Sequence, residues 1–151
     1  HFVIDPLSLV KGVDAVELLA QQALAWAGSR LGEQPLLIYS TVAPEALQAA
    51  QSRLGVEQAG ALIEATLAKI ALGLVQEGVG QLIVAGGETS GAVVQALGMT
   101  QLHIGAQIDP GVPWCAGYVR SSGRQIHVAL KSGNFGRTEF FTTAFEQGRS
   151  T

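Results

Sequence analysis

"IVAGGETSGAVVQALG", Ile83 to Gly98, changes its hydrophobic period halfway along. Ile83, Val84 and Ala85 close the uninterrupted apolar run of "QLIVA", which reads as a strand covered on both faces, as in a parallel sheet. Beyond Gly86 and Gly87, "GAVVQALG" reads as a helix with an apolar face. A strand that feeds a helix through a glycine turn is the building unit of an open α/β sheet, in which ligands bind beyond the carboxyl ends of strands. The first amides of such a helix lack intrahelical partners and carry partial positive charge, and a backbone without Cβ atoms lets a phosphate approach. Thr89 or Ser90 is placed either to cap the helix or to offer a hydroxyl to the ligand. Glu88 repels phosphate unless a cation or a sugar hydroxyl intervenes. A tight turn with an ordinary cap is the plainer alternative, since the block is neither GxxxxGK[ST] nor GxGxxG.

Working outward, "FVIDP" reads as a short strand halted by Asp5 and Pro6. In "GVDAVELLAQQALAWAGSRLG", Val13, Val16, Leu19 or Ala20, Ala23, Leu24, Ala27 and Leu31 fall on one helical stripe, with Gly32 as its stop. "PLLIYST" is a second strand that leads into Ser40 and Thr41. A short helix follows, with Pro44 near its first turn and Gly55 as its end. The long helix after it spans Gln58 to Glu77, with Leu62, Thr66, Ile70 and Leu74 at helical spacing. After Gly98 the pattern changes to strands: "LHIGAQI" and "CAGYVRS", separated by a rigidified loop "IDPGVPW" (Ile108 to Trp114), then "QIHVALKS". "TEFFTTAFEQ" reads as a final helix. The expected fold is therefore α/β, a three-layer, mostly parallel sheet flanked by helices in a Rossmann-like arrangement, formed by residues 1–151 as one domain.

Composition narrows the function. With 48% hydrophobic and 14% charged residues the chain can bury a sizeable core. A formal charge of -3 with scattered basic residues carries neither the footprint of a nucleic-acid binder nor a polybasic membrane patch. Glycine, at 19 residues, exceeds the roughly 7% of ordinary soluble chains, and many glycines fall at strand ends. Cys115 is the single cysteine, which excludes an intrachain disulfide, and it reads as a half-buried small apolar residue. No apolar stretch reaches the roughly 18 residues of a membrane span and no signal-peptide pattern opens the chain, so neither membrane nor nucleic acid is expected and the cytoplasm is the default location. His103 and His127 lie in strand-like runs without partners at ligand spacing, read as structural, and leave no metal site to nominate.

"ALKSGNFG" is the second candidate site. Lys131 and Ser132 end an apolar strand, and Gly133 and Gly136 bracket Asn134 and Phe135. The lysine suits phosphate as a point charge and Phe135 suits a base. A solvent-facing lysine before a turn, with Phe135 plugging the core, is the alternative.

The order of these blocks closely resembles the carboxyl-terminal nucleotide-binding domain of the four-carbon acid sugar kinases. "FVIDPLSL", "LLIYST", "VAGGETSGAVVQALG", "IDPGVPWC" and "LKSGNFG" with "EFF" carry the resemblance across most of the chain. It implies transfer of the γ-phosphoryl of ATP, with Mg²⁺, to a hydroxyl of threonate, erythronate or 3-oxo-tetronate. It also implies that an amino-terminal domain binds most of the acid sugar, which fits a chain that opens on His1 and a strand rather than on Met. Carried over, Gly86, Gly87, Glu88 and Thr89 match the family's nucleotide segment, Gly133 lies in its second nucleotide-facing loop, and Ser40 is a further candidate. "GGET" stands where some relatives have "GGDT". The resemblance assigns no catalytic base here, and a homodimer is compatible with it. The competing readings are an NAD-binding oxidoreductase domain, which lacks its glycine fingerprint and partnered acidic residue, and a non-enzymatic nucleotide-sensing domain.

Overall fold

The structure is a computed structural model that describes residues 1–32, 34–41, 44–133 and 135–147; for 44–47 and 147 only the backbone is described. The chain divides into two compact units, His1–Leu74 and Val75–Thr151.

In the first unit β1 (Phe2–Val3) pairs in parallel with β2 (Ile38–Tyr39). The strand ends at Asp5 and Pro6 because both start a short 3-10 helix, Pro6–Lys11, which the sequence reading did not anticipate. Asp5 Oδ1 accepts from the Leu7 amide at 2.9 Å. Pro6 occupies the first helical position, where its missing N–H is no loss. Helix α1 (Val13–Gly28) buries Ala15, Val16, Ala20, Ala23 and Ala27. Val13 is left outside that stripe, 78% exposed. The helix also ends at Gly28, short of the expected stop at Gly32. Helices α2 (Pro44–Leu54) and α3 (Val56–Gln76) follow.

The core of this unit gathers Ile4, Leu9, Ala15, Val16, Ala20, Ala23 and Ile70, with Leu62, Ile63, Leu67 and Leu74 packed against it. Small residues let α1 and α3 approach closely: a Cβ on Gly73 would lie 2.5 Å from Leu24 Cδ1. Lys69 pairs with Glu17 on the outside and, with a bond from Gln21, holds that carboxyl below its ordinary range. Among the described residues α3 is the one helix long and apolar enough to cross a membrane. Here its apolar positions serve the core, and its buried Thr66 hydroxyl is satisfied by the Leu62 carbonyl at 2.7 Å.

The second unit contains β3 (Gln81–Ala85), α4 (Gly87–Ala96), β4 (Leu102–Asp109), β5 (Val112–Tyr118), β6 (Gln125–Lys131) and α5 (Phe140–Gln147). Its sheet has the order β3-β6-β5-β4. Only β3 and β6 run parallel; β6 with β5 and β5 with β4 are antiparallel. The expectation of a mostly parallel, three-layer, Rossmann-like sheet is thus corrected to a mixed sheet in an α/β chain, beside the separate two-stranded sheet of the first unit. The cause is connection length. Parallel neighbours need a crossover of about a dozen residues or more, whereas Asp109 and Val112 are paired across Pro110 and Gly111 alone.

Ile108 to Trp114 is therefore a hairpin rather than a loop. Proline followed by Gly111 at φ +77° meets the residue requirements of a type II turn. Pro113 lies opposite Gln107 between register shifts, where a missing donor is tolerated inside a sheet. Ile108, Val112, Trp114, Ala129, Phe140 and Ala144 form the core beneath α5, and the Trp114 indole donates to the Ala144 carbonyl at 3.2 Å. His103 and His127 do lie in β4 and β6, but at exposed positions.

Helix α4 ends in a Schellman arrangement. The Gly98 amide donates to Gln95 O at 2.9 Å and the Met99 amide to Val94 O at 3.1 Å, with Gly98 at φ +64°. A Cβ on Gly98 would stand 2.6 Å from Arg120 Cβ, whereas one on Gly123, at the near-identical φ of +65°, would meet nothing. Gly98→Ala should therefore cost about 1–2 kcal/mol for the dihedral plus the displacement of Arg120, and Gly123→Ala the dihedral term alone. Equal losses for the two variants in urea titration would remove the steric argument.

Cys115 is buried in β5, and burial pushes its thiol above the ordinary value, since the charged thiolate is the form that desolvation penalises. Alkylation by iodoacetamide at pH 8 should be slower in the native chain than in urea, and its rise with pH should be displaced upward. A native rate equal to the unfolded one would contradict the burial.

Candidate functional site

Because β4 and β6 are each antiparallel to β5 and β6 is parallel to β3, the carboxyl ends of β3, β6 and β4 share one edge of the second unit's sheet. Three segments lie along it: Gly86 to Ser90, Lys131 to Arg137, and the turn at Asp109 to Gly111, with the second touching each of the others.

The first segment is shaped by its backbone. Gly86 adopts φ 115° and ψ 131°, stands as N-cap of α4, and donates its amide to Lys131 O at 2.8 Å. The first helical bond runs from the Ser90 amide to Gly86 O at 2.9 Å. No side chain caps this end. Thr89 and Ser90 do not fill that role, and the Ser90 hydroxyl instead lies 3.5 Å from Val84 O. The amides of Gly87, Glu88 and Thr89 therefore stand before the first intrahelical bond with no protein acceptor among the described residues. Gly87 and Glu88 are exposed, and the space a Cβ on Gly87 would occupy is empty. Unused amides with the positive end of a ten-residue helix behind them suit an anion.

The second segment departs from the plainer reading of its lysine. Lys131 is not solvent-facing: it is 8% exposed, and its ammonium donates to Ser132 O at 3.2 Å and Gly133 O at 3.0 Å. The ring of Phe141 lies 5.8 Å from it. Ser132 and Gly133 are exposed, with open space at the Cβ position of Gly133. Asn134 falls outside the described residues. Phe135 is half exposed and does not plug the core.

Asp109 was not among the residues the sequence singled out. It is 4% exposed, and its Oδ2 accepts the Arg137 amide at 2.7 Å. Beside it lies an open cavity of about 520 Å³ lined by Gln107, Ile108, Asp109, Pro110, Gly136 and Arg137. The signal that could have found it is an acidic residue at the end of an apolar strand, directly before a proline-glycine turn. The structure thus brings Gly86 to Thr89 together with Lys131 to Gly133. Ser40 belongs to the first unit, directly after β2 and half-buried.

Comparison with known proteins identifies the family. The family described as the nucleotide-binding C-terminal domain matches residues 1–141. A 3-oxo-tetronate kinase of Burkholderia multivorans is 54% identical over 143 residues, covering 95% of this chain and 32% of that protein. A 3-oxo-tetronate kinase of Pseudomonas savastanoi pv. phaseolicola is 52% identical over 144 residues, again 95% of this chain and 32% of the relative. The crystal structure of a Haemophilus influenzae protein superposes with a TM-score of 0.79 at 45% identity, over 97% of this chain and 34% of its own. The chain spans about a third of the length of the relatives it matches. With its glycine turn, its "KSGNFG" loop and this match over nearly all of its length, the chain belongs to the nucleotide-binding C-terminal domain family of the four-carbon acid sugar kinases.

Proposed function

We propose that this chain is the ATP-binding part of a two-domain kinase that phosphorylates a four-carbon acid sugar, with 3-oxo-tetronate the first choice and threonate and erythronate next. The observation that carries the nucleotide assignment is the row of uncapped amides at Gly87, Glu88 and Thr89, the first two on exposed residues and the third on a half-buried one, beside the exposed Ser132 and Gly133. The names of the relatives support the acceptor. The phosphates of ATP fit the amides, because open space at Gly87 and Gly133 leaves room for them. Among the described residues no three His, Cys, Asp or Glu side chains gather as a metal cluster. Mg²⁺ would accordingly be held chiefly by phosphate oxygens, with Glu88 the carboxylate nearest in sequence, in keeping with the preference of this ion for a few carboxylates and its own waters. Bound there, it would neutralise phosphate charge during transfer.

Gly87→Val tests the backbone contact, since a Cβ at this position has no protein atom within 4 Å. It should leave the thermal midpoint nearly unchanged and weaken Mg-ATP about tenfold or more, a loss of about 1.4 kcal/mol. Lys131→Ala should affect nucleotide less and loop stability more, as this ammonium is spent on carbonyls. Calorimetric titration with Mg-ATP, ADP and NAD separates the classes: NAD binding tighter than ATP would favour an oxidoreductase, and equal Mg-ATP affinity in wild type and Gly87→Val would move the phosphate elsewhere.

Phosphoryl transfer requires donor and acceptor to be held in line, and the described residues give amides suited to the nucleotide at the uncapped start of α4. ADP release from Mg-ATP with 3-oxo-tetronate, threonate or erythronate should be measurable in the full-length protein and negligible in the 151-residue chain. Substrate-dependent turnover by the short chain would refute the division of labour.

A further inference from the structure

We infer that Asp109 is a positioning residue for the loop between β6 and α5, fixing the exposed backbone of Ser132 and Gly133 from the far side of the sheet edge. The inference rests on the nucleotide reading above and adds a residue to it.

The loop is fastened at three points. At its start the Lys131 ammonium holds the carbonyls of Ser132 and Gly133. In its middle the Phe135 ring lies on Gly111, so that a Cβ there would come within 2.7 Å of Phe135 Cε1. At its end the Arg137 amide donates to Asp109 Oδ2 at 2.7 Å. Two of these fastenings come from one hairpin turn, Asp109 to Gly111, which belongs to β4 and β5. Between them Gly136 takes φ +93° with its backbone tight against Lys131 Cε and the Phe140 ring, 3.0 and 3.1 Å from where its Cβ would be.

The backbone contact outweighs the ion pair. Arg137 Nε comes within 3.0 Å of Asp109 Oδ1, yet among the described residues that oxygen makes no hydrogen bond, so the approach is close but misdirected. The guanidinium is also 73% exposed and solvent-screened, against 3% for the carboxylate. A carboxylate buried this deeply is retained where it meets a donor of fixed direction. Here that donor is the loop's own amide, which makes the contact independent of the side chain at position 137. Holding the loop in place before ligand arrives removes an ordering cost from binding.

The test uses the full-length protein with Asp109→Ala, Asp109→Asn, Arg137→Ala and Gly111→Ala, read by amide hydrogen exchange of the segment 132–140 without nucleotide and by KM for Mg-ATP and for 3-oxo-tetronate. Asp109→Ala should speed exchange and raise the Mg-ATP KM by about tenfold while the acceptor KM stays within about twofold. Asp109→Asn keeps an acceptor oxygen of the same shape and should restore most of both, and Arg137→Ala should change little. Gly111→Ala should displace Phe135 and speed exchange with Asp109 intact, which serves if Asp109→Ala fails to fold. Unchanged exchange in Asp109→Ala or Gly111→Ala, or Arg137→Ala as damaging as Asp109→Ala, would overturn the clamp. Absence of Mg-ATP turnover in wild type would overturn the kinase reading alone, and exchange would still decide the clamp.

Discussion

The parallel pairing of β3 with β6 is the constraint from which the site follows. Its register runs from Gln81 opposite His127 to Ala85 opposite Lys131, and the Gly86 amide extends the ladder by one more bond to Lys131 O. Each such bond contributes only about 1 kcal/mol. The register, however, is fixed collectively, because a slip of one residue would turn buried Val84 outward and bring its neighbours in. The start of α4 and the exit of β6 are thereby set side by side by sheet geometry, before any side chain at the site contributes.

A site made this way depends on what is absent. Gly87 and Gly133 leave open space at the positions of their missing Cβ atoms, and the end of α4 has no capping side chain. A Ser, Thr, Asn or Asp at the N-cap would stabilise the helix by only about a few tenths of a kcal/mol over Gly86, so leaving the amides unsatisfied costs the fold little. The one charged side chain of the turn, Glu88, has the sign of the ligand. On the proposed reading, attraction for phosphate at this turn would rest on backbone dipoles, to which the net charge of -3 is no obstacle.

What the sequence disclosed follows from which features are local. The period change between Ile83 and Gly98 located β3, the turn and α4, but the apolar run is an edge strand paired in parallel with β6 and not covered on both faces, since only Val84 is buried and Ala85 is exposed. Strand direction elsewhere was legible in principle: a two-residue proline-glycine turn admits only an antiparallel partner, but Pro113 and Trp114 disguised the start of β5 as loop. Where α1 begins and ends depended on tertiary contact, as the exposed Val13 illustrates, since propensity alone does not say which turn of a helix meets the core. Asp109 was hidden for a related reason. An aspartate before proline and glycine ordinarily forms a solvated turn, and only the fold shows an amide brought to it from position 137, 28 residues away. The direction of the Lys131 side chain was equally a matter of packing.

Lys131 nonetheless sets the direction of the peptide plane that follows it. In a trans peptide the N–H points opposite to the C=O of the preceding residue. The Ser132 carbonyl is drawn toward the Lys131 ammonium at 3.2 Å and also accepts the Phe135 amide at 3.1 Å. The Gly133 N–H is thereby turned away from the lysine. A buried cation that takes the carbonyls and a buried carboxylate that takes the Arg137 amide hold the two polarities of one short backbone segment. The two charges lie in a poorly hydrated setting, where a directed hydrogen bond is stronger than in water and an undirected charge is costly. Each is therefore better understood as a fixture for backbone direction than as a free surface charge, beside a turn at Gly86 to Thr89 whose helix end has no side-chain cap among the described residues.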